Sequence, residues 1–170
     1  MAEDTEDTRP GQPRSGQPTD PDVDLRVPAQ RAELGRAPWS VLGVISLGGA
    51  IGSLARFGIG YAFPASPTGF PLATFIVNVT GCLLIGVLMV LIGELWAGRR
   101  LVRPFLGVGV LGGFTTFSTY VVDIQRVAQN GAAGTALAYL LATVLAALAA
   151  VYLGTRLGRL AVGGLKTEAR

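Results

Sequence analysis

Histidine is missing from the 170 residues of this chain. That absence excludes Ser-His-Asp catalysis, histidine-containing metal sites and intramembrane serine proteases of the Ser-His type. A single cysteine, Cys82, rules out an intrachain disulfide. It lies in an apolar run and reads as a small packing residue. Charge is scarce, at 15% of residues, and no carboxylate falls in the middle of an apolar run. No nucleophile–base pair is visible, so the chain does not read as an enzyme. Its basic residues are not interleaved with aromatics, which argues against nucleic acid as a partner. They flank apolar runs instead, which is a membrane pattern.

Half of the residues are hydrophobic and 24 are glycine, a content common in packed membrane helices. Residues 1–37 read as a disordered tail. Pro10, Pro13, Pro18, Pro21, Pro28 and Pro38 oppose regular structure there, and eight acidic residues outnumber five arginines. A basic start followed by an apolar core is absent, so the tail is not a signal peptide. Beyond it, nine basic residues face three acidic ones.

Four apolar runs follow. The first spans about Trp39–Tyr61, with Gly48, Gly52 and Ala55 at close-packing spacing. Arg56 is the one basic residue well inside a run. Lipid exposure would be costly for it, so it is expected to face protein or water, with a structural or vestibule role. It can snorkel, pair with Asp123 or attract anions. Residues 62–71 form a Pro-rich turn containing FPASPTGFP. The second run, about Leu72–Leu95, holds Thr74, Asn78, Thr80 and Cys82. The third covers about Pro104–Asp123, and the spacing predicts an interruption at the Gly112–Gly113 pair. The fourth, about Ala132–Gly154, carries Tyr139 and Thr143 four residues apart on one face. A basic tail over 157–170 completes the chain, leaving residues 38–156 as the membrane domain.

This is an all-α membrane protein of four transmembrane helices, the third of them broken. An even number of spans puts both termini and the middle loop on one side. Ten basic residues flank that side: Arg26, Arg31, Arg36, Arg99, Arg100, Arg103, Arg156, Arg159, Lys166 and Arg170. Only Arg126 lies in a loop on the other. The positive-inside rule then places both termini in the cytoplasm, with the chain multi-pass in the cell membrane.

Counting about 1.5 Å per residue, Asn78, Phe117 and Tyr139 fall at one depth and Thr143 about a turn deeper. Phe117 and Tyr120, three apart, share a helix face. Uncharged polar groups thus gather in a layer. Interhelical glue explains each one singly; a shared layer favours a pathway. Amides and hydroxyls donate to an anion, and aromatic ring edges carry partial positive charge. No fixed cation in the layer would trap the ion. Freed carbonyls near Gly112 suit a hard cation. From the residues alone the reading stops at a membrane protein permeable to an anion or small solute.

Three motifs are specific enough to go further: GGAIGSLARF at Gly48–Phe57, PLATFIVNVTGCLLIG at Pro71–Gly86 and GVGVLGGFTTFSTY at Gly107–Tyr120. In order and spacing they resemble the CrcB/Fluc family of fluoride channels, over about residues 43–155. The resemblance implies passive, selective fluoride conduction that exports a toxic anion, through an antiparallel dimer with two pores. It implies a structural sodium ion at the dimer centre that is not transported. By position, Asn78 corresponds to the pore amide and Phe117 to the first pore aromatic. Tyr139 and Thr143 correspond to a polar track, Thr74 to a pore-facing threonine, and Gly112 and Thr115 to residues whose carbonyls hold sodium. Tyr120 stands where a second phenylalanine is usual. Ala73 replaces a usual glycine, and Ala147 lacks a hydroxyl often present in the track.

The charge bias adds an expectation of its own. An antiparallel homodimer needs one sequence to insert both ways, and ten to one is a strong bias. A homologous partner of opposite orientation is expected, with a homodimer as the alternative. A small multidrug exporter is disfavoured, because the first run has no glutamate. A non-transporting scaffold subunit is the other competing reading.

Overall fold

The computed structural model describes residues 39–96 and 98–168. The expected tail over residues 1–37 lies outside them. Among the described residues every regular element is helical: α1 (Trp39–Ala62), α2 (Leu72–Glu94), α3 (Arg103–Leu111), α4 (Gly112–Phe114), α5 (Ser118–Gln129) and α6 (Ala133–Glu168). Four spans are long and apolar enough to cross a membrane, and α3, α4 and α5 together make the third, Arg103–Gln129. Short connections make successive spans alternate in direction.

Packing rests on backbone meeting backbone. A Cβ on Gly48 would come within 2.5 Å of the Phe105 carbonyl oxygen, and one on Gly109 within 2.9 Å of Ile45 O. Gly52 and Gly113 are equally closed, against Val110 and Gly49. These glycines let α1 lie directly on α3 and α4, as small residues do where apolar lipid supplies no hydrophobic drive. Ala55, expected in the same seam, is exposed; the seam continues through Ser53, whose Oγ donates to Gly113 O at 3.4 Å. The second close pair is α2 with α6, where a Cβ on Gly154 would come within 3.2 Å of Gly86 Cα and one on Gly86 within 2.5 Å of Val151 O.

Two expectations are corrected here. The Gly112–Gly113 pair does not interrupt the third span; both residues are helical in α4. Gly113 is there for close approach to Gly49, and the lapse in helical geometry comes just after, at Thr115 (φ −77°, ψ 158°). The fourth helix does not end near Gly154 but runs to Glu168. Gly158 and the buried Val162 continue its seam, Gly158 against Val90 of α2, and packing outweighs the weak helix propensity of glycine.

The segment preceding α4 is π-helical over Arg103–Leu111, with a proline in its first turn. Such wide turns are rare and concentrate at functional sites. At the far end, α5 closes on a glycine: Gly131 has φ 85°, its N–H donates to Ala128 O, and Ala132 N–H donates to Val127 O. That pair of bonds is a Schellman cap, which needs the left-handed conformation that glycine adopts freely.

Candidate functional site

Between α4 and α5 three residues, Thr115, Thr116 and Phe117, leave the helical ladder. Backbone groups freed inside a membrane need partners. Asn78 of α2 supplies them. Its Nδ2–H donates to Thr116 O at 2.9 Å, and its Oδ1 accepts from Thr116 N–H at 2.9 Å. One side-chain amide thus closes both polar groups of one residue. Thr116 then caps α5: its Oγ1 accepts from Thr119 N–H at 3.2 Å and meets Thr119 Oγ1 at 3.0 Å.

This arrangement has a consequence for two carbonyls. The amide that would ordinarily return to Gly112 O is that of Thr116, and it is given to Asn78. The amide that would return to Thr115 O is that of Thr119, and it is given to the Thr116 hydroxyl. Gly112 and Thr115 therefore carry carbonyls released from the ladder. The Thr115 hydroxyl donates back to Leu111 O at 2.9 Å. Released carbonyl oxygens are hard donors of the kind sodium takes, so the expected pair fits that ion chemically.

A cavity of about 450 Å³ opens beside this segment. Asn78, Gly112, Thr115, Thr116, Phe117, Tyr120 and Thr143 all line it, and no charged residue does. Six of the site residues expected from sequence thus meet around one space. Phe117 lies at its edge, 77% exposed. Tyr120 is buried, with its ring 5.9 Å from that of Phe117, and its hydroxyl donates to Leu140 O on α6 at 2.8 Å. Thr143 is buried and donates to Tyr139 O at 2.8 Å, an intrahelical bond that leaves its oxygen able to accept. Ala147 completes the lining one turn on.

Tyr139 stands apart. It is fully buried behind Tyr120, ring to ring at 5.3 Å, and lines no described cavity. Phe70 from the Pro-rich turn closes it edge-on at 5.1 Å. Its hydroxyl has no hydrogen bond of good geometry, with Thr74 and Asp123 as its polar neighbours. Thr74 is also engaged: its Oγ1 donates to Asp123 Oδ2 at 2.7 Å.

A second cavity, of about 400 Å³, lies on the other side of Thr116. Arg56, Ser53, Thr74, Thr116 and Thr119 contribute its polar lining. Arg56 is half-buried and forms no ion pair with Asp123. Asp123 instead takes Arg126, three residues on, at 2.8 Å. The i, i+3 spacing on one helix brings Arg126 to Asp123 without cost to either backbone. Arg56 thus lines this cavity with no carboxylate paired to it among the described residues. Thr116 is the residue that reading the sequence passed over, and Asp123, named there only as a possible partner of Arg56, holds Thr74 and Arg126. The run TTFST signalled a cap, but which hydroxyl caps which amide depends on where the helix stops.

The fold and site define a multi-pass membrane protein whose uncharged polar groups are collected around a lapse in one span. The chain belongs to the CrcB-like family: the model described as "CrcB-like protein, Camphor Resistance (CrcB)" matches residues 43–155. It is 55% identical over 127 residues to "Fluoride-specific ion channel FluC 2" of Nocardia farcinica, covering 75% of this chain and 91% of that one. A Streptomyces avermitilis protein named "Fluoride-specific ion channel FluC 2" is 52% identical over 125 residues, covering 74% and 79%. "Fluoride-specific ion channel FluC" of Paracoccus denitrificans is 44% identical over 115 residues, covering 68% and 91%. The family is one of ion channels and not of enzymes.

Proposed function

We propose that this chain is a subunit of a fluoride-selective channel that passively exports fluoride and lowers its cytoplasmic concentration. The observation that carries the reading is the cavity shared by Asn78, Phe117, Tyr120 and Thr143, which offers donors and ring edges without a fixed charge. Asn78 spends one N–H on Thr116 O and retains the other, so it both holds the backbone and presents a donor. The Phe117 ring edge adds a second weak partner, and the Thr143 hydroxyl joins them when its O–H turns from Tyr139 O toward the cavity. Weak partners in series let an ion enter and leave. Arg56, across Thr116, raises the local anion concentration at a vestibule, and Thr74 lines the same space.

The working unit is an antiparallel dimer. Support comes from the exposure of aromatic and apolar side chains on one subunit, Phe117 among them, and Phe57 and Leu54 at 72% and 69%. The carbonyls of Gly112 and Thr115 hold a structural, untransported sodium ion, which supplies positive charge where released oxygens would otherwise repel one another. Both termini face the cytoplasm, and the ten-to-one charge bias favours a homologous partner of opposite orientation.

The test is fluoride efflux from liposomes containing this chain alone, with chloride as control. Fluoride-selective efflux establishes the channel and a sufficient homodimer. If efflux appears only with a homologous partner, the heterodimer is established. Silence in both conditions rejects the reading. One observation favours the scaffold alternative: the Asn78 amide is committed to Thr116, as packing glue would be. Under that alternative, conservative changes at Phe117 leave the host's fluoride resistance unaltered.

A further inference from the structure

Helix α6 exceeds the length needed to cross a membrane. Its 36 residues rise about 54 Å, against a hydrocarbon layer about 30 Å thick. Counted from Ala133, the hydrocarbon is crossed near Tyr152. Tyr152, Arg156 and Arg159 follow at i, i+4 and i+7, so they share a face. Gly154, Gly158 and Val162 occupy another face, buried, with the two glycines against α2. That seam fixes the rotation of the helix, so Tyr152 and Arg156 point away from the bundle, while Arg159 borders a small cavity with Val90 and Glu94 of α2.

Arg156 is held in place. Its Nε–H and an Nη2–H donate to the Tyr152 hydroxyl at 3.0 and 2.7 Å, and its guanidinium carbon lies 5.2 Å from the centre of the Tyr152 ring. Three of its five N–H donors remain. Among the described residues no carboxylate pairs with it. Beside this stripe Leu153, Leu157 and Leu160 are exposed by 52%, 45% and 72%. Leucines bordering a basic stripe fit the boundary between acyl chains and headgroups, and fit open water poorly. Arg99, Arg100 and Arg103 lie at the same end of the bundle, where Glu94 and Glu168 also fall.

We propose that Tyr152, Arg156 and Arg159 form a docking site for the phosphate of an anionic phospholipid in the leaflet at this end. Tyr152 preorganises the Arg156 fork, Arg159 adds the second charge, and the leucines lie along the acyl chains. Each cation near a membrane surface adds to the attraction, and a planar guanidinium matches a phosphate with two parallel bonds.

The experiment is native mass spectrometry of the purified, delipidated full chain, titrated with phosphatidylglycerol or phosphatidylcholine. The wild type retains phosphatidylglycerol preferentially. The double variant Arg156→Gln with Arg159→Gln loses that retention by about tenfold or more. Tyr152→Phe keeps every charge but loses the anchor, and retention falls to a lesser extent. Equal retention of the two lipids by the wild type overturns the proposal, and so does wild-type retention in either variant. Full displacement of phosphatidylglycerol by millimolar inorganic phosphate would identify a simple anion site and also overturn it. None of these readouts depends on fluoride.

Discussion

At Tyr120 the hydroxyl turns away from the cavity and onto the Leu140 carbonyl, so the site meets only the ring. The position therefore presents to the cavity what a phenylalanine would. Tyr120→Phe is expected to keep fluoride flux and its selectivity while losing about 1 kcal/mol of stability, the worth of one such hydrogen bond. Flux assays paired with thermal unfolding in detergent check both halves; a variant that loses selectivity contradicts the assignment of the hydroxyl. Asn78 has the opposite character. In Asn78→Asp the carboxylate accepts from Thr116 N–H but repels Thr116 O, leaving a buried carbonyl without its donor. That costs about 1–3 kcal/mol and places a negative charge in the anion's path. Flux is expected to fall by more than about tenfold, and unaltered flux would remove Asn78 from the pathway. Phe117→Ile keeps bulk but discards the ring edge. Because the side chain is exposed, folding is expected to survive and flux to vanish.

Among the elements, the third span departs most from ideal geometry. A π-helical stretch, one helical turn and three non-helical residues precede α5, and glycine contacts hold the first two of these against α1. Gly113→Ala puts a methyl group into the Gly49 backbone, which has nowhere to move because Gly48 and Gly52 are closed on the same side. Overpacking of this kind costs about 1–3 kcal/mol. The released carbonyls of Gly112 and Thr115 lie within two residues of the shifted backbone. We expect the variant to lose thermal stability and, with it, any stabilisation that added sodium confers on the wild type. A melting series in sodium against a large organic cation reads this, and a full sodium effect in the variant would separate the seam from the carbonyls. Thr74, Asp123 and Arg126 join the start of α2 to α5 through a buried carboxylate. Asp123→Ala leaves two donors unpaired and is expected to destabilise by about 3 kcal/mol.

In the whole molecule, several aromatic rings stand open to their surroundings. Phe117, Phe57 and Tyr61 are exposed by 77%, 72% and 83%. In the proposed dimer a second subunit would cover them, and the charge bias bears on which one. Epitope tags at both termini, tested for access in intact cells, are expected to be labelled only after permeabilisation. Labelling of some molecules from outside would show dual insertion and make the homodimer sufficient. Arg156 and Arg159 belong to the ten basic residues from which the orientation is read, so the proposed orientation and the proposed lipid contact share charges.

The sequence by itself determined the membrane class and the four spans. Those follow from composition and from the length of apolar runs, which depend on no partner. Regular helical rise, which converts residue number into depth, put Asn78, Phe117 and Tyr139 at one level with Thr143 a turn deeper, and i, i+3 spacing put Tyr120 on the face of Phe117. The tertiary structure decided what regular rise cannot encode. It moved the lapse from the glycine pair to Thr115–Phe117, since glycine in a packed seam serves close approach and only the neighbouring backbone shows which use applies. It gave Asp123 to Arg126 and Thr74 and left Arg56 without it, a choice among donors settled by proximity. It withdrew Tyr139 from the cavity and turned the Tyr120 hydroxyl onto Leu140, because side-chain direction depends on how α5 and α6 face each other. It also carried α6 past its apolar run to Glu168, where packing against α2 sustains a helix that hydropathy alone would have ended.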